Sequence, residues 1–350
     1  MTMNVAINGF GRIGRAFFRI AWDRPDMQVV AINDLGTLES MSYLAAHDSV
    51  YRDIPFTAAP RIIDGKNFIA FTAKEGGREL VVPICAEKDP KALPWGTLNV
   101  DVVVESTGLF TTYDKAKAHL DAGAKRVVIS APAKKGEDAS VDGHMVVLNV
   151  NEADLALAPI TSNASCTTNC AAPLTVILDE AFGIEKAILS TVHAYTASQA
   201  IVDGPSKKDL REGRAAAINI VPSSTGAAKA VGEVYAPIKG KFDGISLRVP
   251  VPSGSIVDFT FVSKRDVTSE EVNEALRAAA KTDRWKAVFA ASDEPLVSSD
   301  ILSAKETCIA DLEMTRVVAG NLVKVLAWYD NEMGYTRTLV EHVAKVGKLV

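Results

Sequence analysis

Cysteine is scarce, at four residues in 350. That count excludes a disulfide framework, which belongs to small, bridge-dense secreted domains. No apolar run approaches the ~18 residues that cross a bilayer. Neither sign of charge is in large excess: 38 Lys and Arg stand against 43 Asp and Glu, for a net charge of −5. A general nucleic-acid or lipid-surface binder would be basic, so neither a membrane nor a nucleic acid is expected as primary partner. An anionic small molecule, which needs only a local cationic pocket, remains open. The start, Met1-Thr2-Met3-Asn4-Val5, enters a strand-like pattern without the basic start and apolar core of a secretory signal, and a cytoplasmic location is expected. Repeats, low-complexity tracts and linkers are also missing, so closely packed domains are expected. What is present is ordinary for a soluble globular protein, with 48% hydrophobic and 23% charged residues. At roughly 150 residues per domain, two domains are expected.

The first half alternates short β-branched runs with helical patterns. Val5-Ala6-Ile7 precedes a helical stretch from Arg12 to Trp22, and Gln28 to Ile32 precedes another from Leu38 to Ala46. Asp101 to Glu105, Tyr113 to Ala122 and Arg126 to Ile129 repeat the scheme. Strands apolar on both faces and separated by helices predict a doubly wound, mostly parallel sheet. Asp64-Gly65, between two β-branched runs, predicts a hairpin, read here as an antiparallel appendage. After a helix from about Thr167 to Phe182, strands dominate, as in the alternating Ile256 to Val262 and in Leu322 to Trp328. A helix over Ser269 to Lys281 lies between those two, and a last one spans Tyr335 to Val346. The second half therefore reads as an α+β domain with a mixed or antiparallel sheet.

Gly9-Phe10-Gly11-Arg12-Ile13-Gly14 fits G-x-G-x-x-G. The pattern alone is weak, but here it follows a strand and opens a helix. Small residues then let the backbone approach a pyrophosphate at the positive end of the helix. Asp34 ends the second strand, where a carboxylate accepts from both adenosine ribose hydroxyls and repels a 2′-phosphate, favouring NAD over NADP. Ser106-Thr107-Gly108 and Ser130 end later strands, at the edge where such sheets bind ligands.

Ser165-Cys166-Thr167-Thr168-Asn169-Cys170 opens the mid-chain helix. An ordinary thiol is only a few per cent thiolate at neutral pH. Making it mostly thiolate takes roughly 2.7 kcal/mol, and a helix N-terminus supplies about 0.3–2 kcal/mol. A second cation is needed, and His193 is the candidate. A Cys166–Cys170 metal site would want two further ligands at short spacing; none is evident, and no metal is expected. Cys85, Cys170 and Cys308 read as packing residues.

With these residues in view, the chain resembles the phosphorylating glyceraldehyde-3-phosphate dehydrogenases. The likeness runs through Ser165 to Cys170, His193-Ala194-Tyr195-Thr196, Pro222 to Ala230, Arg248-Val249-Pro250 and Trp328 to Glu332, in the family's order. It implies a Rossmann-type NAD-binding domain over 1–165 plus 331–350 and a catalytic domain over 166–330. It implies oxidation of glyceraldehyde 3-phosphate with NAD and inorganic phosphate to 1,3-bisphosphoglycerate, through a Cys166 thiohemiacetal and thioester with His193 as base. Ser165, Thr167, Thr225 and Gly226 resemble the attacking-phosphate site, and Thr196 and Arg248 the site for the substrate's own phosphate. Cofactor contacts implied are Gly9, Phe10, Gly11, Arg12, Ile13, Gly14, Asn33, Asp34, Lys88, Ser106, Thr107, Gly108, Ser130 and Asn331. A homotetramer is implied as well. Departures are Lys88 and Glu212 where many bacterial members have arginine, Met333 for a frequent Trp, and His47 for a frequent Tyr. Glu212 puts the details of phosphate binding in question, with Arg211 and Arg214 as possible compensation. Rival readings are an erythrose-4-phosphate dehydrogenase and a non-catalytic NAD-binding module acting as a redox sensor or RNA-associated protein.

Overall fold

In the computed structural model, which describes residues 2–206 and 209–350, Val5, Ala6 and Ile7 are fully buried in the first strand, β1 (Met3–Asn8). A strand apolar on both faces needs cover on both, and the helices between successive strands supply it. After β1 come α1 (Arg12–Ala21), β2 (Met27–Asn33), α2 (Leu38–Ala46), β3 (Phe56–Ile63), β4 (Lys66–Ala73) and β5 (Glu79–Cys85). Then follow β6 (Val102–Glu105), α3 (Tyr113–Asp121), β7 (Arg126–Ile129), β8 (His144–Met145) and β9 (Ile160–Ser162). Together they form a nine-stranded sheet in the order β3-β4-β5-β2-β1-β6-β7-β9-β8. The pairs β1–β2, β1–β6, β6–β7 and β7–β9 are parallel, which is the doubly wound arrangement. Ala6, Ala31, Trp95 and Val103 belong to one buried cluster of this sheet, and Tyr113, Ala116, Val127 and Ile160 to another.

The Asp64-Gly65 hairpin forms, with Ile63 opposite Lys66 and both turn residues at positive φ, 50° and 72°, as the favoured two-residue turn requires. It is not a separate appendage. β5 pairs antiparallel with β4 along one edge, and its last residues pair in parallel with β2, Ile84 lying opposite Ile32. The hairpin therefore extends the main sheet. From β1 the chain builds outward through β2, then crosses to β6 on the other side of β1. Such a reversal leaves a crevice at the carboxyl ends of the central strands.

The chain separates into two units. One takes the residues up to Val146, Ala153–Ala164 and Thr336–Val350; the other takes Val147–Glu152 and Ser165–Tyr335. The second is built from α4 (Cys166–Phe182), β10 (Ile184–Ala194), β11 (Val221–Ser224), α5 (Ala227–Val234), β12 (Phe242–Val249) and β13 (Ser255–Ser263). It continues with α6 (Ser269–Ala280), β14 (Phe289–Ser292), β15 (Cys308–Val318) and β16 (Leu322–Tyr329), before α7 (Met333–Gly347) closes the chain. Its sheet is mixed, in the order β11-β12-β10-β13-β16-β15-β14. β13 alternates buried and half-buried residues along its whole length. α6 starts with a full capping box between Thr268 and Glu271, which is why its beginning is plain in the sequence.

Candidate active site

After β1 the backbone must turn at once into α1. Gly9 does so at φ +94°, where a Cβ would fall 2.7 Å from the backbone of Ser106 and Thr107. At Gly14 a Cβ would meet the Gly9 carbonyl oxygen at 2.1 Å, so helix and strand pack closer than any side chain allows. Gly11 differs from both. Nothing lies within 4 Å of its Cβ position, and as N-cap of α1 it offers no side-chain acceptor to the first-turn amides. A helix start without a side-chain cap is suited to an anion.

A cleft of about 450 Å³ opens here, lined by Gly9, Gly11, Asn33, Asp34, Lys88, Ser106 and Thr107 among the expected residues. Asp34 accepts from the Phe10 amide through Oδ2 at 2.7 Å and from the Gly36 amide through Oδ1 at 2.8 Å. A carboxylate has about four lone-pair sites, so this fixed group can still accept from ribose hydroxyls. Phe10, Arg12, Ile13, Gly14, Gly108 and Ser130 are not in the lining. The Arg12 guanidinium pairs with Asp48 at 2.8 Å, and the Ser130 amide donates to the Glu105 carbonyl at 2.9 Å. Asn8, Leu35, Glu87, Leu109 and Phe110, not singled out from the sequence, complete the walls. A helix start without a side-chain cap and a fixed carboxylate at the end of the next strand fit a dinucleotide.

In the second unit, Ser165 caps α4 by accepting from the Thr168 amide at 3.0 Å, so Cys166 is the first helical residue. Ala164, just before the cap, has φ +54°, strained for a residue with a Cβ. The half-buried Cys166 places Sγ 3.4 Å from His193 Nε2. β10 and β12 are parallel with His193 directly opposite Arg248. Paired residues point to the same face, and Arg248 Nη1 comes within 2.5 Å of His193 Nδ1. Tyr329, missed in the sequence, ties this arrangement together. Its hydroxyl lies 2.9 Å from Thr167 Oγ1 and 2.7 Å from Thr191 Oγ1, and its ring stands edge-on to His193. A buried tyrosine needs a partner for its hydroxyl, the one hint a sequence offers.

The electrostatics differ from expectation. Burial, then the Arg248 charge, lowers the His193 pKa to about 3, so the imidazole is neutral. The cation beside the sulfur is Arg248. Its charge pulls the Cys166 pKa down, but burial pushes it up further, and the thiol stands above its ordinary range. A guanidinium only donates, so the 2.5 Å contact makes Nδ1 the acceptor and leaves the ring proton on Nε2, facing Cys166. The Ala194 carbonyl, 2.7 Å from Nδ1, offers the alternative: once Arg248 is drawn away, Nδ1–H can donate there and Nε2 becomes a base.

The other polar residues expected at the site fall in two places. Thr196 follows β10, its hydroxyl 3.0 Å from that of Ser198. Gly226 is N-cap of α5 with no side-chain cap bond, and Thr225 Oγ1 accepts from the Ala227 amide at 3.2 Å. Val221 lies opposite Arg248, but Ser224, which leads into the Thr225 turn, lies opposite Ile245. At about 3.3 Å per residue that separates the turn from Arg248 by about 10 Å, room for two anions rather than one. Glu212 accepts from the Ser223 hydroxyl at 3.1 Å. Arg214 is engaged with Asp203 at 3.0 Å, and Arg211 is exposed. The Asn331 side-chain oxygen accepts from the Gly254 amide at 3.0 Å and the Ser255 hydroxyl at 2.9 Å, which leaves its amide nitrogen for a ligand. Ser255, another residue the sequence did not mark, also accepts from the Ala194 amide at 3.1 Å.

Comparisons with known proteins agree along the whole chain. Residues 3–113 match the family described as glyceraldehyde 3-phosphate dehydrogenase, NAD binding domain, and residues 165–331 its C-terminal domain. A glyceraldehyde-3-phosphate dehydrogenase of Mycobacterium avium is 48% identical over 354 residues, covering 99% of each chain. Glyceraldehyde-3-phosphate dehydrogenase 1 of Streptomyces avermitilis is 47% identical over 352 residues with the same coverage. The Streptomyces arenae protein named glyceraldehyde-3-phosphate dehydrogenase 2 is likewise 47% identical.

Proposed function

The chain belongs to the glyceraldehyde-3-phosphate dehydrogenase family, and from that premise we propose how its own residues carry the reaction. It oxidises and phosphorylates glyceraldehyde 3-phosphate, with NAD and inorganic phosphate, to 1,3-bisphosphoglycerate. We assign NAD to the nucleotide domain, 1–165 plus 331–350, and the bond-making steps to the catalytic domain, 166–330.

Cys166 Sγ attacks the aldehyde carbon, its proton passes to the carbonyl oxygen, and a thiohemiacetal forms. The substrate's phosphate engages Arg248 and Thr196, where a guanidinium fork suits phosphate oxygens. Neutralising Arg248 removes the charge that depresses His193 and releases Nδ1 toward the Ala194 carbonyl. The ring proton moves from Nε2 to Nδ1 by exchange through water, and the bared Nε2 takes the hydroxyl proton as the carbon gives up hydride. NAD, when bound, supplies the hydride acceptor. Cys166 is left as a thioester, which conserves the oxidation in an activated acyl group. Inorganic phosphate, held by Ser165, Thr167, Thr225 and Gly226, attacks that carbon; the carbon–sulfur bond breaks, and the leaving sulfur takes the proton held on His193 Nε2, which restores the thiol and the neutral ring. Asp34 selects NAD by holding the ribose hydroxyls, and Asn331 offers its amide nitrogen to the nicotinamide amide.

One observation carries the assignment: Cys166, His193 and Arg248 stand in a single contact row. NADH formation from glyceraldehyde 3-phosphate should require added phosphate, and Cys166→Ser should abolish it while NAD still binds. A larger kcat/KM for erythrose 4-phosphate would reverse the choice of substrate. NAD binding with no phosphate-dependent turnover would leave a binding module.

We propose a homotetramer in the cytoplasm. Ile188 is 58% exposed and Ile245 50%, and the two share one side of the second sheet, where Ser190, next but one to Ile188 along β10, lies opposite Ile245. In the loop beyond β10, Ile201 is 85% exposed and Leu210 87%. Apolar surface of this kind favours cover by further copies. Light scattering after gel filtration should give about four chain masses; a monomer would remove the proposal.

A further inference from the structure

Beneath the cofactor cleft lies a buried carboxylate that no step of the reaction uses. Glu105, the last residue of β6, is 1% exposed, and among the described residues its one ion-pair contact is a histidine, His119. Four donors surround it. Oε2 accepts from Asn8 Nδ2 at 2.5 Å and from His119 Nε2 at 3.0 Å. Oε1 accepts from the Thr107 amide at 2.8 Å and the Thr107 hydroxyl at 2.5 Å. A charge out of water is tolerated only when its lone pairs are met in this way.

The chain of bonds has one direction. An indole N–H only donates, and Trp95 Nε1 is 3.1 Å from His119 Nδ1. Nδ1 is therefore an acceptor, and the ring proton sits on Nε2, toward Glu105. A carboxylate only accepts, so Asn8 presents nitrogen to Glu105 and oxygen to Asn33, whose Nδ2 donates at 2.7 Å. Asn33 in turn donates to the Glu87 carbonyl at 2.9 Å and accepts from the Glu87 amide at 2.8 Å. The ends of the chain, Thr107 and Glu87, line the cleft, as do Asn8 and Asn33.

We infer that Glu105 is a positioning residue for the dinucleotide: a single buried negative charge, through a one-way hydrogen-bond chain, fixes two walls of the cofactor cleft. The inference rests on the reading of that cleft as the NAD site. Glu105→Gln keeps the shape and exchanges one acceptor oxygen for an NH₂ group. With the nitrogen in the Oε1 place, the Thr107 amide loses its acceptor. With it in the Oε2 place, Asn8 and Asn33 must turn over, and the Glu87 amide loses its own. Either way one wall is released.

The test is NAD affinity of the full-length protein by calorimetry, well below each variant's unfolding midpoint. Glu105→Gln should weaken NAD binding about ten-fold or more, the loss of one charge-assisted bond. Alkylation of Cys166 by iodoacetamide without NAD should keep its wild-type rate. His119→Leu, which removes both ring contacts, should also weaken NAD. His119→Gln, whose carbonyl can accept from Trp95 and whose amide can donate to Glu105, should recover most of the loss; this pair decides the matter if Glu105→Gln does not fold. NAD affinity within two-fold of wild type in Glu105→Gln or His119→Leu overturns the inference, as does an equal loss in the two His119 variants. A wild-type protein that binds no NAD overturns the cofactor reading and this inference with it.

Discussion

His193 shows how far a residue's chemistry depends on its neighbours. The sequence suggested an imidazolium beside Cys166, because a helix end alone falls short of ionising a thiol. In the fold, burial and Arg248 hold the ring neutral with a pKa of about 3. A dianion on Arg248 should raise that value, since it cancels one of the two causes. Proton NMR of the His193 ring should therefore show titration at higher pH with saturating glycerol 3-phosphate, which carries the substrate's phosphate ester without its aldehyde, than without it; an unchanged midpoint would separate Arg248 from the base. Cys166, His193 and Asp34, to which we assign the nucleophile, the base and the ribose contact, could be singled out in the sequence because each closes a strand or opens a helix beside a recognisable motif. Tyr329, Ser255 and Glu105 could not. Each acts through hydrogen bonds to residues far away in the chain, such as Thr191 for Tyr329 and Asn8 for Glu105, and single-sequence spacing has no access to those.

At the scale of elements, α4 and β10 are held in register by the Tyr329 hydroxyl between Thr167 and Thr191. Tyr329→Phe removes that link and leaves two buried threonine hydroxyls to find other partners. The expected cost is about 1–3 kcal/mol of stability, with a several-fold fall in kcat and little change in the KM for NAD. Urea unfolding and steady-state rates check both; unchanged kcat would show that Cys166 keeps its place without the hydroxyl. The strands and helices that were given bounds from the sequence match to within about two residues, among them α2, β7 and β13. β15 was not legible. Its pairing with β16 shifts register between Asp311 and Arg316, and a bulge of that kind breaks the alternation that marks a strand. The hairpin at Asp64-Gly65 was visible, but its sheet was not, because β5 carries a different partner on each edge.

For the whole molecule, two buried histidines set a pH dependence. His342 is held between Thr161 Oγ1 at 2.8 Å and Asn163 Oδ1 at 3.1 Å, and burial, with the charge of Arg126, lowers it to about 3. His193 lies equally low. An unfolded histidine titrates near 6.5, so between about pH 3 and 6.5 the unfolded chain binds more protons and stability rises with pH. That stability is complete above about 6.5 and is lost as pH falls through the window. Urea midpoints should drop from pH 7 to 4.5, and His342→Gln should flatten part of the slope; an identical slope in the variant would exclude His342 as a contributor. The division into a parallel-sheet half and a mixed-sheet half was readable from composition and periodicity. The neutral state of the buried rings was not, because burial is a property of the packed chain.

The side-by-side placement of His193 and Arg248 has a consequence for which changes in length the protein can absorb. Residues along a strand alternate between faces, so inserting or deleting one residue within β10 or β12 would turn one of the two away from the other. The connection from Pro250 to Gly254 lies outside both strands and carries no such parity. Families of this chain should therefore vary in loop length while these two strands keep their count, residue for residue.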